Sequence, residues 1–399
     1  MHNSVRIADG LTYLGGNDRR IALFESAYPV PRGVSYNSYL LTDEKTVLFD
    51  TVDLSVSDLF FENLAYALDG RGLDYVVVHH MEPDHSATFA RLLEKYPSVT
   101  VVTNQKVAQM LKNYFGFAGN VHLVKEGDSL SVGRRTLTFV FAPMVHWPEV
   151  MFTYVPEDGI LFSADAFGTF GALPGSIFAD EVDFERDFLD DARRYYFNIV
   201  GKYGVQVQNV LKKAAGLDIR LVCPLHGPVW RRDFVWYLKK YLTWSAYEPE
   251  EKCVAVFYAS VYGHTQNAAE IVASAVAAEG VKVRTYDVSV THVSELVAEA
   301  FRCSHEVFAS TTYNNGIFVN MENFLGDLKA HAFQNRKYAV VENGSWAPQA
   351  GGLIEGALAP CKNLQLLGEK VTVLSAVNAE SAEKLVALGK LIAQDVKAN

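Results

Sequence analysis

The sequence predicts a two-domain α/β protein, in which an αββα sandwich precedes a doubly wound, five-stranded parallel sheet. The length of 399 residues is about twice that of a usual domain. The second half alternates short apolar strands with helices, whereas the first half is richer in strands. We therefore place the two domains at residues 1–250 and 251–399.

The second half contains five predicted strands, each leading to a helix. The strands are "CVAVFYAS", "KVRTYDV", "EVFAST", "KYAVVEN" and "KVTVLSAV". The helices include "TQNAAEIVASAVAAEG", which ends at Gly280, then "HVSELVAEAFRC", "MENFLGDLKAHAF", a helix after a Gly-rich turn, and "ESAEKLVALGKLIAQDV". Strict alternation with five strands matches the flavodoxin-like form of the doubly wound sheet.

The first half is predicted to form two β-sheets that pack together, with helices on their outer faces. Its predicted strands are "NSYLLT", "KTVLFDTV", "DYVVVHH", "VTVVTN", "RTLTFVFAP", "MFTYVP", "GILFSAD" and "IRLVCPLH". The interposed helices include "SVSDLFFENLAYAL" and "HSATFARLLEKY". The polar stretch "WSAYEPEEK", Trp244 to Lys252, lies between the two patterns and is the predicted linker.

The composition indicates a soluble protein of the cytoplasm. Hydrophobic residues make up 49% and charged residues 21%, and no segment resembles a signal peptide or a membrane span. The formal charge of −10 argues against a nucleic-acid partner. The cysteines are scattered without a C-x-x-C pair, so we expect neither an iron–sulfur or rubredoxin-type module within the chain nor a disulfide framework. They are Cys223, Cys253, Cys303 and Cys361.

A metal site is indicated by histidines and carboxylates that follow predicted strand ends. The loop "VVVHHMEPDHS" supplies several of them, and later strands supply the rest. The candidates are His80, Glu82, Asp84, His85, His146, Asp165 and His226. Seven side chains are too many for one tetrahedral zinc ion but suit two metal ions that share a bridging carboxylate.

Other polar and aromatic residues have ordinary interpretations. For His79 we favour packing or support of a ligand over metal binding. Trp147, Tyr195 and Tyr196 are candidates for lining the metal pocket, with core packing as the alternative. Isolated histidines are assigned no function, namely His2, His122, His292, His305 and His331.

A phosphate-binding turn is indicated at the first strand–helix junction of the second half. Its sequence is "SVYGHT", namely Ser260, Val261, Tyr262, Gly263, His264 and Thr265. Short hydroxyl residues and a glycine can place O–H and N–H groups around a phosphate at a helix N-terminus. The alternative is a simple helix N-cap. The turn is neither a G-x-G-x-x-G dinucleotide fingerprint nor a Walker motif.

Two further turns follow the third and fourth strands, near the point where flavin binds in such sheets. The first comprises Ser310, Thr311, Thr312, Tyr313, Asn314, Asn315 and Gly316. The second includes Asn343, Gly344, Ser345 and Trp346. The rings of Tyr313 and Trp346 could border a flat heterocycle, with ordinary packing as the alternative.

These motifs together resemble flavodiiron proteins over essentially the whole chain. The resemblance implies a metallo-β-lactamase-like di-iron domain followed by a flavodoxin-like domain that binds FMN. By the family's pattern, His80, Glu82 and His146 bind one iron and Asp165 bridges both irons. The remaining ligands, Asp84, His85 and His226, bind the other iron.

Glu82 distinguishes this pattern from the histidine-rich loop of zinc hydrolases. Carboxylates are hard donors that suit oxidised iron, whereas zinc has no redox chemistry for a flavin to serve. Pro83 is expected to keep the loop from continuing as a helix, so that Glu82 and Asp84 point to different metals.

The resemblance implies a reductase of O2, of NO, or of both, and the motifs leave the choice between the gases open. Electrons would reach FMN from a separate donor such as rubredoxin, and the protein would form a head-to-tail homodimer or a dimer of dimers. One alternative is a zinc hydrolase of the metallo-β-lactamase type fused to a flavodoxin-like domain. Another is a flavin electron carrier or redox sensor with a vestigial metal domain, although no ligand is missing.

Overall fold

A computed structural model describes residues 2–398, and the chain divides into two compact units. The first unit comprises the chain through Tyr196 together with Val205–Lys239. The second comprises Phe197–Gly204 together with the chain from Lys240 onward. Among the described residues, no helix is both long enough and apolar enough to cross a membrane.

The first unit is built mainly of short strands. They are β1 (Val5–Ala8), β2 (Leu11–Tyr13), β3 (Gly16–Asp18), β4 (Leu23–Phe24), β5 (Tyr28–Pro29), β6 (Val34–Tyr36), β7 (Tyr39–Thr42), β8 (Thr46–Phe49), β9 (Tyr75–Val77), β10 (Thr100–Thr103), β11 (Val121–Leu123), β12 (Ser129–Ser131), β13 (Thr136–Phe141), β14 (Met151–Val155), β15 (Ile160–Phe162) and β16 (Leu221–Cys223).

Helices and helical turns connect these strands. They are α1 (Ser57–Leu68), α2 (Pro83–Ser86), α3 (Phe89–Lys95), α4 (Gln105–Phe115), α5 (Phe184–Asp187), α6 (Leu189–Tyr195), α7 (Gly204–Ala214) and α8 (Phe234–Ser245), with 3-10 turns at Leu54–Val56, Ala179–Glu181 and Gly201–Tyr203 and a π-helical turn at Tyr196–Val200. Of these, α7 begins and α8 ends in residues of the second unit.

The strands of the first unit form the predicted pair of packed sheets. One sheet has the order β1-β2-β7-β8-β9-β10-β11 and the other β12-β13-β14-β15-β16. Phe49 on β8 stacks on Phe162 of β15 with ring centroids 3.7 Å apart, and Tyr39 meets Phe162 edge-on. These aromatic contacts join the inner faces of the sheets, which gives the expected sandwich.

The strands before residue 37 were not predicted. They are two to four residues long and form β1, β2 and two small ribbons, β3–β6 and β4–β5. Runs this short show no alternation of apolar and polar residues that a sequence pattern could reveal. Their pairing is decided by contacts with the rest of the unit.

The second unit has the predicted doubly wound sheet. Its strands are β17 (Glu251–Ala259), β18 (Val283–Asp287), β19 (Cys303–Tyr313), β20 (Gly316–Ile317), β21 (Arg336–Asn343), β22 (Leu364–Leu366) and β23 (Val371–Val373). Its helices are α9 (His264–Ala278), α10 (Val293–Arg302), α11 (Val319–Ala330), α12 (Ala350–Leu358) and α13 (Ala379–Ala398).

The strand order of this sheet is flavodoxin-like. The parallel order is β18-β17-β19-β21, and both β22 and β23 pair with the outer side of β21 as two parts of the fifth strand. Valines from the central strands form its core with α9 and α13, including Val256, Val307 and Val341. Gly389 of α13 lies so close to α9 that an added Cβ would be 2.6 Å from the Cβ of Ala275.

Glu342, at the end of β21, is a buried carboxylate that ties α12 to the fifth strand. It accepts hydrogen bonds from the backbone N–H of Gly351 at 2.8 Å and from the hydroxyl of Thr372 at 2.7 Å, and it pairs with Lys370. Burial raises the pKa of Glu342, but these donors outweigh burial and hold it below its usual value.

Two expectations need correction. The predicted linker, Trp244 to Lys252, is shorter in the structure, because α8 extends to Ser245 and β17 begins at Glu251. The cysteines do not all remain apart either, since Cys253 and Cys303 form a disulfide. They are 50 residues apart in sequence, but they lie on the neighbouring parallel strands β17 and β19 with Cα atoms 5.0 Å apart.

Candidate metal centre and flavin pocket

All seven predicted metal ligands lie in the segments that follow strands of the first unit. The segment after β9, which includes the helical turn α2, carries four of them, and the loops after β13, β15 and β16 carry His146, Asp165 and His226 in turn. All seven side chains are buried. The strand ends bring together residues that are separated by up to about 150 positions in sequence.

The ligands form two groups, and the first comprises His80, Glu82, His146 and Asp165. Oε2 of Glu82 lies 3.3 Å from Nε2 of His80 and 3.1 Å from Nε2 of His146. Oδ2 of Asp165 lies 3.4 Å and 3.1 Å from the same two nitrogens. Two imidazole nitrogens and two carboxylate oxygens therefore converge on one point.

The second group comprises Asp84, His85 and His226. Oδ2 of Asp84 lies 3.4 Å from Nε2 of His85 and 3.2 Å from Nε2 of His226. The other oxygen of Asp165, Oδ1, lies 3.0 Å and 3.7 Å from these nitrogens. Asp165 thus presents one oxygen to each group, which is the geometry of a bridging carboxylate.

The spacing of these atoms fits metal coordination. With metal–ligand bonds of about 2.0–2.2 Å, two ligand atoms are about 3.0 Å apart at a right angle and about 3.4 Å apart at a tetrahedral angle. The observed separations of 3.0–3.7 Å lie near these values. Each group can therefore hold one metal ion without rearrangement of its side chains.

Several buried ligand atoms make no hydrogen bond within the described part of the chain. They are Oδ1 and Oδ2 of Asp84, Nε2 of His85, Oδ1 of Asp165 and Nε2 of His226. Leaving buried polar atoms unpaired costs free energy, so such atoms need another partner. A pair of cations would supply it, and the donor set therefore fits a dinuclear metal centre.

Hydrogen bonds on the far side of the imidazole rings orient two ligands. Nδ1 of His226 donates to the backbone carbonyl of Ser35 at 2.8 Å, which leaves Nε2 free to bind a metal. Nδ1 of His80 donates to Oε1 of Glu149 at 2.8 Å, and the backbone N–H of Met81 donates to the same oxygen. Such partners fix the ring orientation and make the ligand more basic.

His79 has the supporting role that we favoured. Its backbone N–H and Nδ1 both donate to the carboxylate of Asp50, and Nε2 lies 2.7 Å from the hydroxyl of Thr153 on β14. Both ring nitrogens are thus engaged away from the metal groups. Asp50 also accepts a longer hydrogen bond from the backbone of His80, so it stiffens the ligand loop.

The charges of the centre are strongly coupled. Burial lowers the pKa of His85 and His146, but the nearby carboxylates outweigh burial and raise it to about 9 in each. The same pairs hold the pKa of Glu82 and Asp165 below the usual range, although burial acts in the opposite direction. The carboxylates are therefore ionised at neutral pH and attract cations.

One detail of the loop differs from expectation. Pro83 begins the helical turn α2 instead of preventing a helix, because a proline at the first helical position loses no hydrogen bond. Glu82 precedes this turn and Asp84 lies within it. The two carboxylates still point to different groups, as expected.

Two of the three aromatic candidates lie beside ligand rings. The ring of Trp147 is half-buried and meets His80 edge-on at 5.2 Å. The ring of Tyr195 is buried and lies 5.6 Å from His226. Tyr196 is also fully buried.

Several residues near the centre were missed by sequence reasoning. Asp50 follows strand β8 and carried the same strand-end signal as the ligands. Glu149 and Glu25 carried no such signal, because one lies between a proline and a strand and the other in a short ribbon. Burial, and after it the neighbouring carboxyl group of Glu82, raises the pKa of Glu25 to about 8.

The predicted flavin turns border one cavity of about 480 Å³ in the second unit. Most of the predicted residues line it: Ser260, Val261, Tyr262, His264, Thr265, Thr311, Thr312, Tyr313, Asn314, Asn315, Asn343, Gly344, Ser345 and Trp346. Three predicted residues, Gly263, Ser310 and Gly316, do not line it. Ser375, at the end of the fifth strand, does line it and was missed.

The N-terminus of α9 forms a cradle at one end of this cavity. The backbone N–H of Gly263 donates to the hydroxyl of Ser260 at 3.0 Å, and Gly263 has φ = 90° with open space beside it. A phosphate here would meet hydroxyl and backbone N–H groups at a helix N-terminus. The turn also contributes His264 and Thr265 to the cavity.

Aromatic side chains border the other part of the cavity and are exposed. Trp346 is 80% exposed and Tyr313 is 49% exposed, so neither belongs to a packed core. The hydroxyl of Thr312 accepts hydrogen bonds from the backbone N–H groups of Gln349 and Ala350, which ties the two turns together. A cavity with a phosphate cradle and exposed rings fits FMN.

Each of the two units matches a known protein family. The profile described as "ODP family beta lactamase" matches residues 34–227, and that described as "Flavodoxin" matches residues 256–367. A protein named nitric oxide reductase from Moorella thermoacetica is 32% identical over 98% of this chain and 99% of its own length. An anaerobic nitric oxide reductase flavorubredoxin from Aeromonas hydrophila is 32% identical over 88% of this chain and 71% of its own length.

A solved structure shows the same arrangement of elements along the chain. The rubredoxin oxygen:oxidoreductase of Desulfovibrio gigas has a TM-score of 0.93 at 27% identity and covers 99% of both chains. Its match therefore includes the sandwich and the doubly wound sheet together. With this fold and with a curated relative that is 32% identical over nearly its whole length, the chain belongs to the flavodiiron protein family.

Proposed function

We propose that this protein is an oxidoreductase that reduces O2 to water, NO to N2O, or both, at a di-iron centre supplied with electrons by FMN. The observation that carries the proposal is the bridging geometry of Asp165, whose two oxygens face two separate ligand groups. The same chain holds a cavity that fits FMN. An electron-storing cofactor and a paired metal site in one chain support a multi-electron reaction.

Iron fits this centre better than zinc does. The ligand groups contain three carboxylates, Glu82, Asp84 and Asp165, which are hard donors suited to ferric iron. Zinc cannot exchange electrons, so a flavin in the same protein would have no partner in a zinc site. Zinc-bound protein with hydrolase activity that is indifferent to flavin would contradict this assignment.

The proposed role of the side chains in the centre is to hold two metal ions at fixed positions. When bound, a pair of irons supplies two electrons and polarises the gas. His80, Glu82 and His146 would hold one metal ion and Asp84, His85 and His226 the other, with one oxygen of Asp165 facing each group. Burial of all seven ligands limits the access of water to the reacting gas.

The electron requirement differs between the two gases. O2 needs four electrons and four protons to form two water molecules, whereas two NO molecules need two electrons and two protons to form N2O and water. FMN and the metal pair, when bound, would each supply two electrons, which together match the demand of O2. The relatives are named for NO reduction in two cases and for oxygen in a third.

Electrons are proposed to come from a separate small redox protein. The name of the Desulfovibrio gigas structure points to rubredoxin as its donor. We extend this donor to the present chain because the flavin cavity opens to solvent beside exposed aromatic rings, Tyr262 at 89% and Trp346 at 80% exposure. Reduced rubredoxin is therefore the donor to use in the assays.

We further propose a head-to-tail homodimer, or a dimer of such dimers, in which the FMN of one subunit serves the irons of the other. This arrangement is testable by mixing inactive variants. A His146→Ala subunit retains its flavin cavity, and a Gly263→Val subunit retains its metal ligands. Mixed dimers should regain part of the activity, whereas a lack of recovery in verified heterodimers would contradict the arrangement.

The decisive experiment compares the two gases in one preparation. Anaerobically purified protein, loaded with iron and FMN and supplied with reduced rubredoxin, should consume at least one of O2 and NO. The electron-to-gas ratio distinguishes water formation from N2O formation. Loss of turnover in Asp165→Asn with FMN still bound would support the centre as the reaction site, and failure of the loaded wild type to consume either gas would refute the proposal.

A further inference from the structure

The flavin cavity has one lining side chain that can carry a positive charge. Among the described residues that border the cavity, His264 is the only basic one, and none is an aspartate or a glutamate. A phosphate monoester carries about −1.5 to −2 charges at pH 7. The imidazole of His264 is therefore the one ionic partner that the lining offers to the phosphate of FMN.

His264 lies at the end of the cavity where a phosphate would bind. It is the first residue of α9, and the N-cap position before it is Gly263, which has no side chain to accept the first N–H groups of the helix. The Cα–Cβ bonds of a helix tilt toward its N-terminus. The imidazole therefore leans past the end of α9, into the region that these N–H groups also face.

Thr265 adds a buried hydroxyl to the same end of the cavity. This residue is only 2% exposed and yet lines the cavity. Its hydroxyl makes no hydrogen bond to another residue within residues 2–398. Because a buried polar group without a partner costs free energy, this hydroxyl needs an acceptor. An anion at the N-terminus of α9 would accept its hydrogen bond.

The helix end and a bound phosphate act on the charge of His264 in opposite directions. The N-terminus of a helix carries a partial positive charge, which disfavours a cation beside it while the cavity is empty. A phosphate in the cavity reverses the sign of the local charge and stabilises an imidazolium through a charge-assisted hydrogen bond. Binding of phosphate and protonation of His264 therefore favour each other.

Other charged groups on α9 and on the elements packed against it do not line the cavity. They are Glu270 of α9, Asp287 of β18, Glu342 of β21 and Glu380 of α13, which have Gln266, Ser289, Lys370 and Lys384 as partners in that order. Glu383 of α13 is exposed to solvent. The lining also includes the phenols of Tyr262 and Tyr313, and phenols are neutral at the pH values used below.

We propose that the protonated imidazole of His264 pairs with the FMN phosphate, so that binding of FMN takes up a proton and weakens as the pH rises. The inference rests on the proposed function, which requires FMN in this cavity, and assigns a specific role to a side chain of this chain. Neutral His264 gains a proton from solvent when the phosphate arrives and returns it when FMN leaves. Riboflavin, which lacks the phosphate, should bind without proton uptake.

Three variants of the full-length protein separate charge from shape. His264→Asn removes the titratable group and keeps a polar side chain. His264→Lys supplies a positive charge at every pH used. His292→Asn is the matched control, because His292 also lies at a helix N-terminus, as the N-cap of α10, but does not line the cavity. Asparagine is itself a good N-cap, so this control should fold normally.

The first measurement is the Kd for FMN, from quenching of flavin fluorescence by FMN-free protein at pH 7.0 and pH 8.5. In the wild type and in His292→Asn, the Kd should increase about threefold between these pH values, the size expected for an exposed ion pair. His264→Asn should bind FMN about threefold more weakly than the wild type at pH 7.0 and show little dependence on pH. His264→Lys should bind FMN tightly at both.

Calorimetry gives the second measurement. Titration in two buffers of different ionisation enthalpy counts the protons that are bound with FMN. A threefold change in Kd over this range of pH corresponds to an uptake of about 0.3 proton per FMN. The second ionisation of the phosphate, near pH 6, is shared by all variants and cancels in the comparison. Uptake should be absent in His264→Asn and absent for riboflavin in the wild type.

Each remaining outcome counts against the inference. If His264→Asn binds FMN with the affinity and pH dependence of the wild type, or if riboflavin takes up as many protons as FMN, the inference is wrong while the proposed function stands. Equal weakening of His264→Lys and His264→Asn at both pH values would show that shape and not charge matters, and would also overturn it. If the wild type does not bind FMN, the proposed function fails and this inference fails with it.

Discussion

Glu149 offers a sharp test of how the metal centre is held. Its side chain is fully buried, and Oε1 accepts hydrogen bonds from Nδ1 of His80 at 2.8 Å and from the backbone N–H of Met81 at 3.1 Å. Its other oxygen, Oε2, makes no hydrogen bond within the described chain. The Glu149→Gln substitution keeps the shape of the side chain and removes only its charge.

Two effects of this substitution can be estimated. A neutral acceptor polarises His80 less, and loss of such a partner costs about 10- to 100-fold in metal affinity, equivalent to about 1.4–2.7 kcal/mol. The new amide N–H group would also be buried without an acceptor, which costs about 1–3 kcal/mol of folding free energy. Both metal affinity and the stability of the metal-free protein should fall.

The assay is an anaerobic Fe2+ competition titration together with urea unfolding of the metal-free protein. Glu157→Gln is the matched control, because Glu157 is exposed and also accepts a backbone N–H, that of Thr136 at 3.1 Å. The control should leave metal affinity unchanged. Wild-type affinity in Glu149→Gln would show that this carboxylate does not tune His80 and would refute the reasoning.

Three further substitutions, one of them with a matched control, test the chemistry and the packing. Glu82→His should weaken iron binding and abolish gas reduction while FMN still binds, and near-normal turnover would show that the loop has been misread. Gly389→Ala should destabilise the protein by about 1–3 kcal/mol in urea unfolding, because the new Cβ would overlap Ala275. The matched control is Gly356→Ala in helix α12, where an added Cβ meets no other atom, and it should stabilise the protein by about 0.5–1 kcal/mol. Glu342→Gln should lower the free energy of unfolding by about 1–3 kcal/mol at pH 7. The pKa of Glu342 in the folded protein lies below the unfolded value of 4.5. The difference in stability from the wild type should therefore shrink as the pH falls below 4.5.

Much of the fold was predictable because its long elements carry clear periodicity. The alternation of apolar strands and helices after residue 250 predicted the flavodoxin-like sheet, and the structure has that strand order. The early ribbons were not predictable, since β4 and β5 have only two residues each. The disulfide between Cys253 and Cys303 was also not predicted, because it depends on which strands are neighbours in the sheet.

The candidate site was predictable in residue type but not in geometry. Seven ligands could be proposed because each follows a predicted strand, and the structure brings all seven into two buried groups. That Asp165 presents one oxygen to each group could be seen only in three dimensions. The carboxylates of Glu25 and Glu149 carried no pattern that would distinguish them from ordinary surface residues.

The sequence by itself determined the local elements and the kinds of side chain available at their ends. Periodicity acts over a few residues, so it is readable without a partner. Only the tertiary structure decided which oxygen faces which imidazole and which carboxylate supports His80. Those outcomes depend on packing between segments far apart in the chain, where a shift of a fraction of an ångström determines whether atoms can bind one metal.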